Sequence, residues 1–225
     1  MTSNLPVALI TGGTRGIGKA IADQLAHTHR LLIGGRNEQA AAAVAGAFPD
    51  ARPWVCDLAD PEATITAAAS VERLDVLIHS AGVFPSEPMP LRESWRHVME
   101  VNVIAVAHLT DLLLPLLRQS QGLVVMINSG SGLNARADVS GYAASKFALT
   151  GYADGLREAE QGRVRVASIH PGRVDTDMQR QLQVKLGRPY DASEHMPVEA
   201  VAAAVRLAVE TPPSTVIQSL TIRPV

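Results

Sequence analysis

The sequence predicts an α/β fold: one doubly wound domain with a mostly parallel, seven-stranded sheet flanked by helices. Three observations predict it. Short, continuous apolar runs alternate with longer Ala- and Leu-rich stretches along the chain. The runs do not alternate polar with apolar, which suits strands covered on both faces. The chain has 225 residues, enough for one large core and short for two domains. Strand–helix–strand alternation then implies right-handed crossovers between parallel strands.

Each element follows in order. Residues 7–10 form the first strand and 16–28 the first helix. The second strand is 30–33, followed by a helix at 37–47. The third is 53–56, with a helix at 61–70, and the fourth is 75–78. Residues 91–118 form one long helical stretch whose second half is apolar nearly all round, so it is buried on more than one side. Pro115 should kink it or end it early. The fifth strand, 123–127, is followed by a helix at 140–160 and a sixth strand at 164–169. A helix at 197–210 and a strand at 216–220 close the chain. Residues 177–197 are polar and irregular, a long connection suited to a substrate lid within the single domain 1–225.

Composition removes several classes of function. The 20 basic residues nearly cancel the 22 acidic ones, so no global charge draws nucleic acid or an anionic membrane. The single cysteine, Cys56, excludes an intrachain disulfide and any all-cysteine metal site. The histidines lack a close-spaced zinc pattern, although His27 and His29 come near one. Residues 1–6 have no basic start and no long apolar stretch, and 101–117 is broken by Asn102, His108, Thr110 and Asp111. The reading is a cytoplasmic protein with no metal, nucleic-acid partner or membrane span.

The first strand ends in Thr11-Gly12-Gly13-Thr14-Arg15-Gly16-Ile17-Gly18, and a helix follows at once. Glycines here let the backbone approach a pyrophosphate while the helix N-terminus aims N–H groups at it. An ordinary tight turn is the plainer reading, but a strand before and a helix after are the context a phosphate loop needs. The spacing is not the one-three-six fingerprint. It resembles the short-chain dehydrogenase/reductase family, whose fold is a Rossmann domain and whose members are oxidoreductases.

At the second strand's end, Gly35 fills the position of the acid that would hold a ribose 2′-hydroxyl, and Arg36 follows. Arg15 adds a second guanidinium on that side. Two cations and no carboxylate favour NADP(H), although Arg36 also reads as a solvated residue at a helix start. The resemblance implies an adenine contact from Asp57, with the Leu58 amide nearby. Asp57, like Asp60, also suits a helix cap. After the fourth strand, His79-Ser80-Ala81-Gly82 keeps the family's Ala-Gly as cofactor contacts but lacks its usual Asn. That puts a brace of the central sheet in doubt and makes His79 structural.

Tyr142-Ala143-Ala144-Ser145-Lys146 places a phenol and an ammonium four residues apart, on one helix face. Tyr152 and Tyr190 have Leu156 and Glu194 at that spacing. An exposed Tyr and Lys would give the same pattern. Ser129 tips the balance: it ends an apolar run 13 residues earlier, where open sheets place ligand residues. A free tyrosine titrates near 10, and a neighbouring ammonium should lower that value, making Tyr142 an acid/base. The resemblance implies that Lys146 also holds the nicotinamide ribose, that Ser129 bonds the substrate oxygen, and that Asn102 holds a water relaying protons from Lys146. Asn102 otherwise reads as a buried amide bonded to backbone.

After the sixth strand, His170-Pro171-Gly172-Arg173-Val174-Asp175-Thr176 matches the family's Pro-Gly-x-Val-x-Thr. The match implies cofactor contacts from Pro171, Gly172, Val174 and Thr176, the last also a candidate helix cap. The resemblance runs from Thr11 to about Met178. By position after strands, Phe84, Leu133, Val139 and Met178 should rim the substrate pocket. Their apolarity suggests an uncharged carbonyl or alcohol, whereas Arg136 or Arg173 could recruit an acid. The expected function is a hydride-transferring NADP(H)-dependent oxidoreductase. A non-catalytic NADP(H)-binding regulator or scaffold and an NAD-dependent alcohol dehydrogenase are the alternatives. In the family, helices 91–118 and 140–160 pair into a bundle, which implies a homodimer or homotetramer.

Overall fold

The computed structural model describes residues 5–84 and 89–225. Residues 1–4 of the segment read for a leader lie outside them. The strands are β1 (Val7–Thr11), β2 (Arg30–Gly35), β3 (Ala51–Val55), β4 (Val76–His79), β5 (Leu123–Ile127), β6 (Arg165–Pro171) and β7 (Ser219–Ile222). The helices are α1 (Gly16–Leu25), α2 (Glu38–Ala45), α3 (Pro61–Ala69), α4 (Leu91–Met99), α5 (Ala105–Ser120), α6 (Ser140–Ala159), α7 (Asp177–Lys185) and α8 (Val198–Glu210). All seven strands form one parallel sheet in the order β3-β2-β1-β4-β5-β6-β7.

The continuous apolar runs are explained by two helical layers. In β1, Ala8 and Ile10 face α1 and α8, whereas Val7 and Leu9 face α3, α5 and α6. Successive strand residues point to opposite faces, so a strand covered twice has no polar side. Fully burying one such Leu or Ile contributes about 2 kcal/mol. Local chemistry starts the helices. Asp60 accepts from the N–H groups of Glu62 and Ala63 ahead of α3, with Pro61 at the first position, and Asn37 accepts from Ala40 N ahead of α2.

Three expectations change. Pro115 does not end the long helix, which runs on to Ser120. Pro115 and Asp111 both lie on the exposed side, so the carbonyl that loses its N–H partner faces water. The interruption falls earlier, in a π-helical turn at Glu100–Ile104 that contains Asn102. The last strand lies at 219–222 rather than 216–220, because Val216 packs against the core from a loop. Apolarity there marks burial, not pairing.

The segment 177–197 is also more regular than its polarity suggested. Thr176 Oγ1 accepts from Gln179 N and starts α7, and a 3-10 turn follows at Ala192–Glu194. Asp175 ties the two together by accepting from Arg180 and, at 2.6 Å, from the Tyr190 hydroxyl. The stretch 91–120 is long and apolar enough to cross a membrane by composition alone. Its apolar face instead meets the sheet through Val106, Leu109, Leu113 and Leu117.

Strand order reverses between β1 and β4. Their C-terminal ends therefore diverge from the neighbouring loops and open the crevice where open α/β sheets bind ligands.

Candidate active site

The glycine loop is shaped by what it must approach. Gly12 has φ +63°, and a Cβ there would fall 2.9 Å from the Ala81 backbone. Only glycine lets this turn lie against the segment after β4. Thr11 Oγ1 pins that segment by accepting from Ser80 N and Ala81 N, each at 3.1 Å. A Cβ at Gly18 would fall 2.2 Å from Gly12 O, so α1 starts in close contact with the turn. Ile17, in the first turn of α1, lines the cleft.

At the end of β2, a Cβ on Gly35 would fall 2.7 Å from the Thr14 methyl group. Any side chain there requires the Thr14 side chain to shift. Arg36 and Arg15 are exposed beside it, and Arg15 Nη1 meets Asp177 Oδ2 at 3.2 Å. Asp60, not Asp57, caps α3; Asp57 makes one local bond, from Ala59 N, and is otherwise exposed, with Leu58 half-buried beside it. A close-packed glycine turn, a helix N-terminus and two exposed guanidiniums fit the phosphates of a nicotinamide dinucleotide.

A cleft of about 730 Å³ opens at the C-terminal ends of the strands. Ser80, Gly82, Ser129, Tyr142, Lys146, Pro171, Gly172, Val174 and Thr176 all line it. Ser129 is the second residue past the end of β5. Its position comes from Asn128, whose Oδ1 accepts from Ser129 N at 2.9 Å and whose Nδ2 donates to Thr150 Oγ1 on α6 at 2.9 Å. The Ser129 carbonyl faces His170 Nδ1 at 3.2 Å.

Tyr142 and Lys146 project from the first turns of α6. Lys146 Nζ donates to the Ile127 carbonyl at 3.0 Å and lies 5.7 Å from the Tyr142 ring centroid. Phe84 meets that ring edge-to-face at 5.5 Å. Burial pulls the Lys146 ammonium down to about 8. Burial also pushes the Tyr142 phenol up, and a hydrogen bond with the Ser129 side chain offsets part of that rise. The direction is opposite to the one expected from the neighbouring ammonium, because desolvation is the largest cause. Tyr142 is therefore held protonated near neutrality.

Asn102 is buried beneath the cleft. Its Oδ1 accepts from Val83 N at 2.8 Å, while Nδ2 donates to Val83 O at 3.0 Å and to Ser145 Oγ at 3.1 Å. The amide fastens the segment after β4 to α6, and Gly82 sits between it and Lys146. On the far wall, Val174 bridges to Met196 through Arg173 O and Asp175 N, leaving its own N–H unused by the bridge. Thr176 Oγ1 is spent as the cap of α7 and on Val174 O.

Phe84, Val139 and Met178 line the cleft, but Leu133 does not. It closes the 3-10 turn at Gly130–Gly132 and is 46% exposed to solvent. Of the lining residues that escaped sequence reasoning, two bear on the chemistry. Asn128 left only a polar residue at a strand end as its signal, and Arg223 lay beyond the last strand, where no motif marks a site.

Residues 6–186 match the short chain dehydrogenase family. An uncharacterized oxidoreductase of Staphylococcus saprophyticus is 30% identical, over 97% of both chains. Dehydrogenase/reductase SDR family member 11 of Gallus gallus is 29% identical over 97% of this chain and 95% of its own. Among solved structures, the oxidoreductase yciK of Escherichia coli has a TM-score of 0.82 at 29% identity, covering 96% of this chain and 94% of its own. An alcohol dehydrogenase from the archaeon Thermococcus sibiricus, complexed with 5-hydroxy-NADP, has a TM-score of 0.88 over 99% of this chain and 97% of its own. At 24% identity that likeness is one of fold. With the matched model spanning most of the chain and full-length relatives alongside it, the chain belongs to the short chain dehydrogenase family.

Proposed function

We propose that the protein is an NADP(H)-dependent oxidoreductase acting between a carbonyl and its alcohol, with Tyr142 as the acid/base. The observation that carries this reading is the convergence of Ser129, Tyr142 and Lys146 on one cleft with the glycine loop. The nicotinamide, when bound, supplies or accepts the hydride. Ser129 holds the substrate oxygen within reach of Tyr142. Tyr142, protonated as it stands, gives its proton to that oxygen during reduction and takes it back during oxidation. Lys146, with a pKa of about 8, is mostly charged at neutral pH and stabilises the phenolate left behind. Asn102 and Asn128 position the set from below.

Gly35, crowded by Thr14, together with Arg15 and Arg36, supports the phosphorylated cofactor. Calorimetric titration of the protein with NADPH and with NADH tests this. NADPH should bind at least tenfold more tightly, and Arg36→Ala should narrow the gap about tenfold, the scale of one charged hydrogen bond. Tighter binding of NADH would favour an NAD-dependent alcohol dehydrogenase. Binding of neither would remove the basis of the enzyme reading.

The same proposal includes a homodimer or homotetramer through residues 91–118 and 140–160. On α4, the π turn and α6, Leu91, Trp95, Ile104 and Phe147 are exposed, and nothing lies within 4 Å of a Cβ built on Gly151 or Gly155. Phe147, Gly151 and Gly155 share one helix face, so a partner helix can approach closely. Light scattering at micromolar concentration should give at least twice the 23.9 kDa chain mass, and Phe147→Glu should shift it towards monomer. A monomeric mass for the unaltered protein would refute the assembly.

A further inference from the structure

We infer that the substrate carries a carboxylate and that Arg223, the residue after β7, receives it; this deepens the oxidoreductase reading and rests on it. Among the described residues, the charged side chains lining the cleft are Arg136, Lys146, Arg173, Arg188 and Arg223, and no carboxylate is among them. A one-signed cleft focuses its potential on ligands of the opposite sign. The four arginines are not equivalent. Arg173 already has a counterion, with Nη1 at 2.7 Å from Glu194 Oε2. Lys146 belongs to the proton-transfer set.

Arg223 differs in how it is held. Its Nη1 donates to His170 O at 2.8 Å and to Ile222 O at 2.9 Å. Carbonyls orient a guanidinium without neutralising it, and among the described residues no carboxylate pairs with Arg223. The side chain passes through a slot made by two glycines. A Cβ on Gly130 would fall 2.8 Å from Nη2, and one on Gly172 would fall 2.9 Å from Cδ. Both glycines adjoin site residues, Ser129 and Pro171. The slot therefore presents an oriented, uncompensated cation beside the serine assigned to the substrate oxygen. The acceptor geometry that fits its remaining N–H groups is a carboxylate. An oxo acid or hydroxy acid carries that group together with the reacting carbon. The apolar Phe84, Val139 and Met178 remain to pack its body.

Arg223 lies outside every motif, so its role is specificity rather than proton transfer. The test separates binding from turnover. Calorimetry with NADPH present compares benzoate with benzamide, a matched pair differing in charge. The unaltered protein should prefer benzoate at least tenfold. Arg223→Gln should bring the two within threefold, and Arg223→Lys, which keeps the charge but not the fork, should retain part of the preference. Far-ultraviolet circular dichroism confirms that each variant is folded. Equal binding of the pair by the unaltered protein overturns the inference. So does a preference that survives Arg223→Gln. Parallel NADPH oxidation assays use acetoacetate and methyl acetoacetate. Faster reduction of the acid supports the inference, whereas faster reduction of the ester overturns it and leaves the oxidoreductase reading standing. A benzoate preference that depends on Arg223, with no carbonyl reduced, keeps the anion site and defeats the oxidoreductase reading.

Discussion

Tyr142→Phe should abolish most turnover and leave NADPH binding within about threefold of the unaltered protein. The substitution removes one oxygen and keeps the ring that packs edge-to-face on Phe84. What is lost is the proton donor. General acid catalysis contributes roughly a hundred- to ten-thousandfold, so kcat should fall by that factor with little change in protein stability. The pH dependence carries a second expectation. Burial raises the phenol, so reduction, which needs the protonated form, should be insensitive to Tyr142 across neutral pH. The first loss on raising pH should come near 8, where Lys146 gives up its charge and can no longer stabilise the phenolate. Stopped-flow and steady-state NADPH oxidation from pH 6 to pH 10 would read both. A Tyr142→Phe protein that turns over within tenfold of the original would remove Tyr142 from the chemistry. The proton would then have to come from another group in the cleft.

The residues this prediction depends on were the most legible part of the sequence. Tyr142 and Lys146 need only the spacing of one helix face, and the glycine loop needs only its place between a strand and a helix. Local pattern encodes local geometry. Contacts that join distant segments leave weaker traces. Nothing in the order of residues says that the Thr14 methyl closes on Gly35, although that contact crowds the position an acid would take. Asn128 positions Ser129 through Thr150, 22 residues away in sequence. Arg223 reaches His170 across 53 residues. The errors share a cause. Pro115 looked like a break because its exposed environment was unknown, and Leu133 looked like a pocket residue because a tight turn sends it outward. The sign expected for Tyr142 was wrong because an ammonium four residues away is visible in sequence, whereas burial around a hydroxyl is not.

His79 supplies the largest expected effect on stability. It ends β4 in the middle of the sheet, 2% exposed, where the family resemblance leads one to expect Asn. It does brace the sheet: Nε2 lies 2.8 Å from Thr110 Oγ1 on α5. Thr110 donates its own proton to Val106 O at 2.7 Å, so it must accept from Nε2–H. That fixes the tautomer and leaves Nδ1 as a buried acceptor with no partner among the described residues. A proton on Nδ1 would bury a charge with nothing to receive it, and burial accordingly pulls the imidazole down to about 3. The unfolded chain has no such restraint and takes up the proton near 6.5. Because the folded value is the lower one, the contribution to stability is fully present above 6.5 and is lost as pH falls towards 3. Each pH unit in that window costs about 1.4 kcal/mol, so this group alone should remove roughly 3 kcal/mol between pH 7.5 and pH 4.5. Urea unfolding at those two values checks it. His29 and His170, whose values are also lowered by burial, add to the same slope, so the decisive readout is a difference between proteins. His79→Asn cannot titrate here. It should lose about 3 kcal/mol less than the unaltered protein on acidification, even if its shorter side chain weakens the bond to Thr110 at neutral pH. Equal losses in the two proteins would mean that Nδ1 finds an acceptor on protonation, and the brace at the centre of the sheet would then be a charged one.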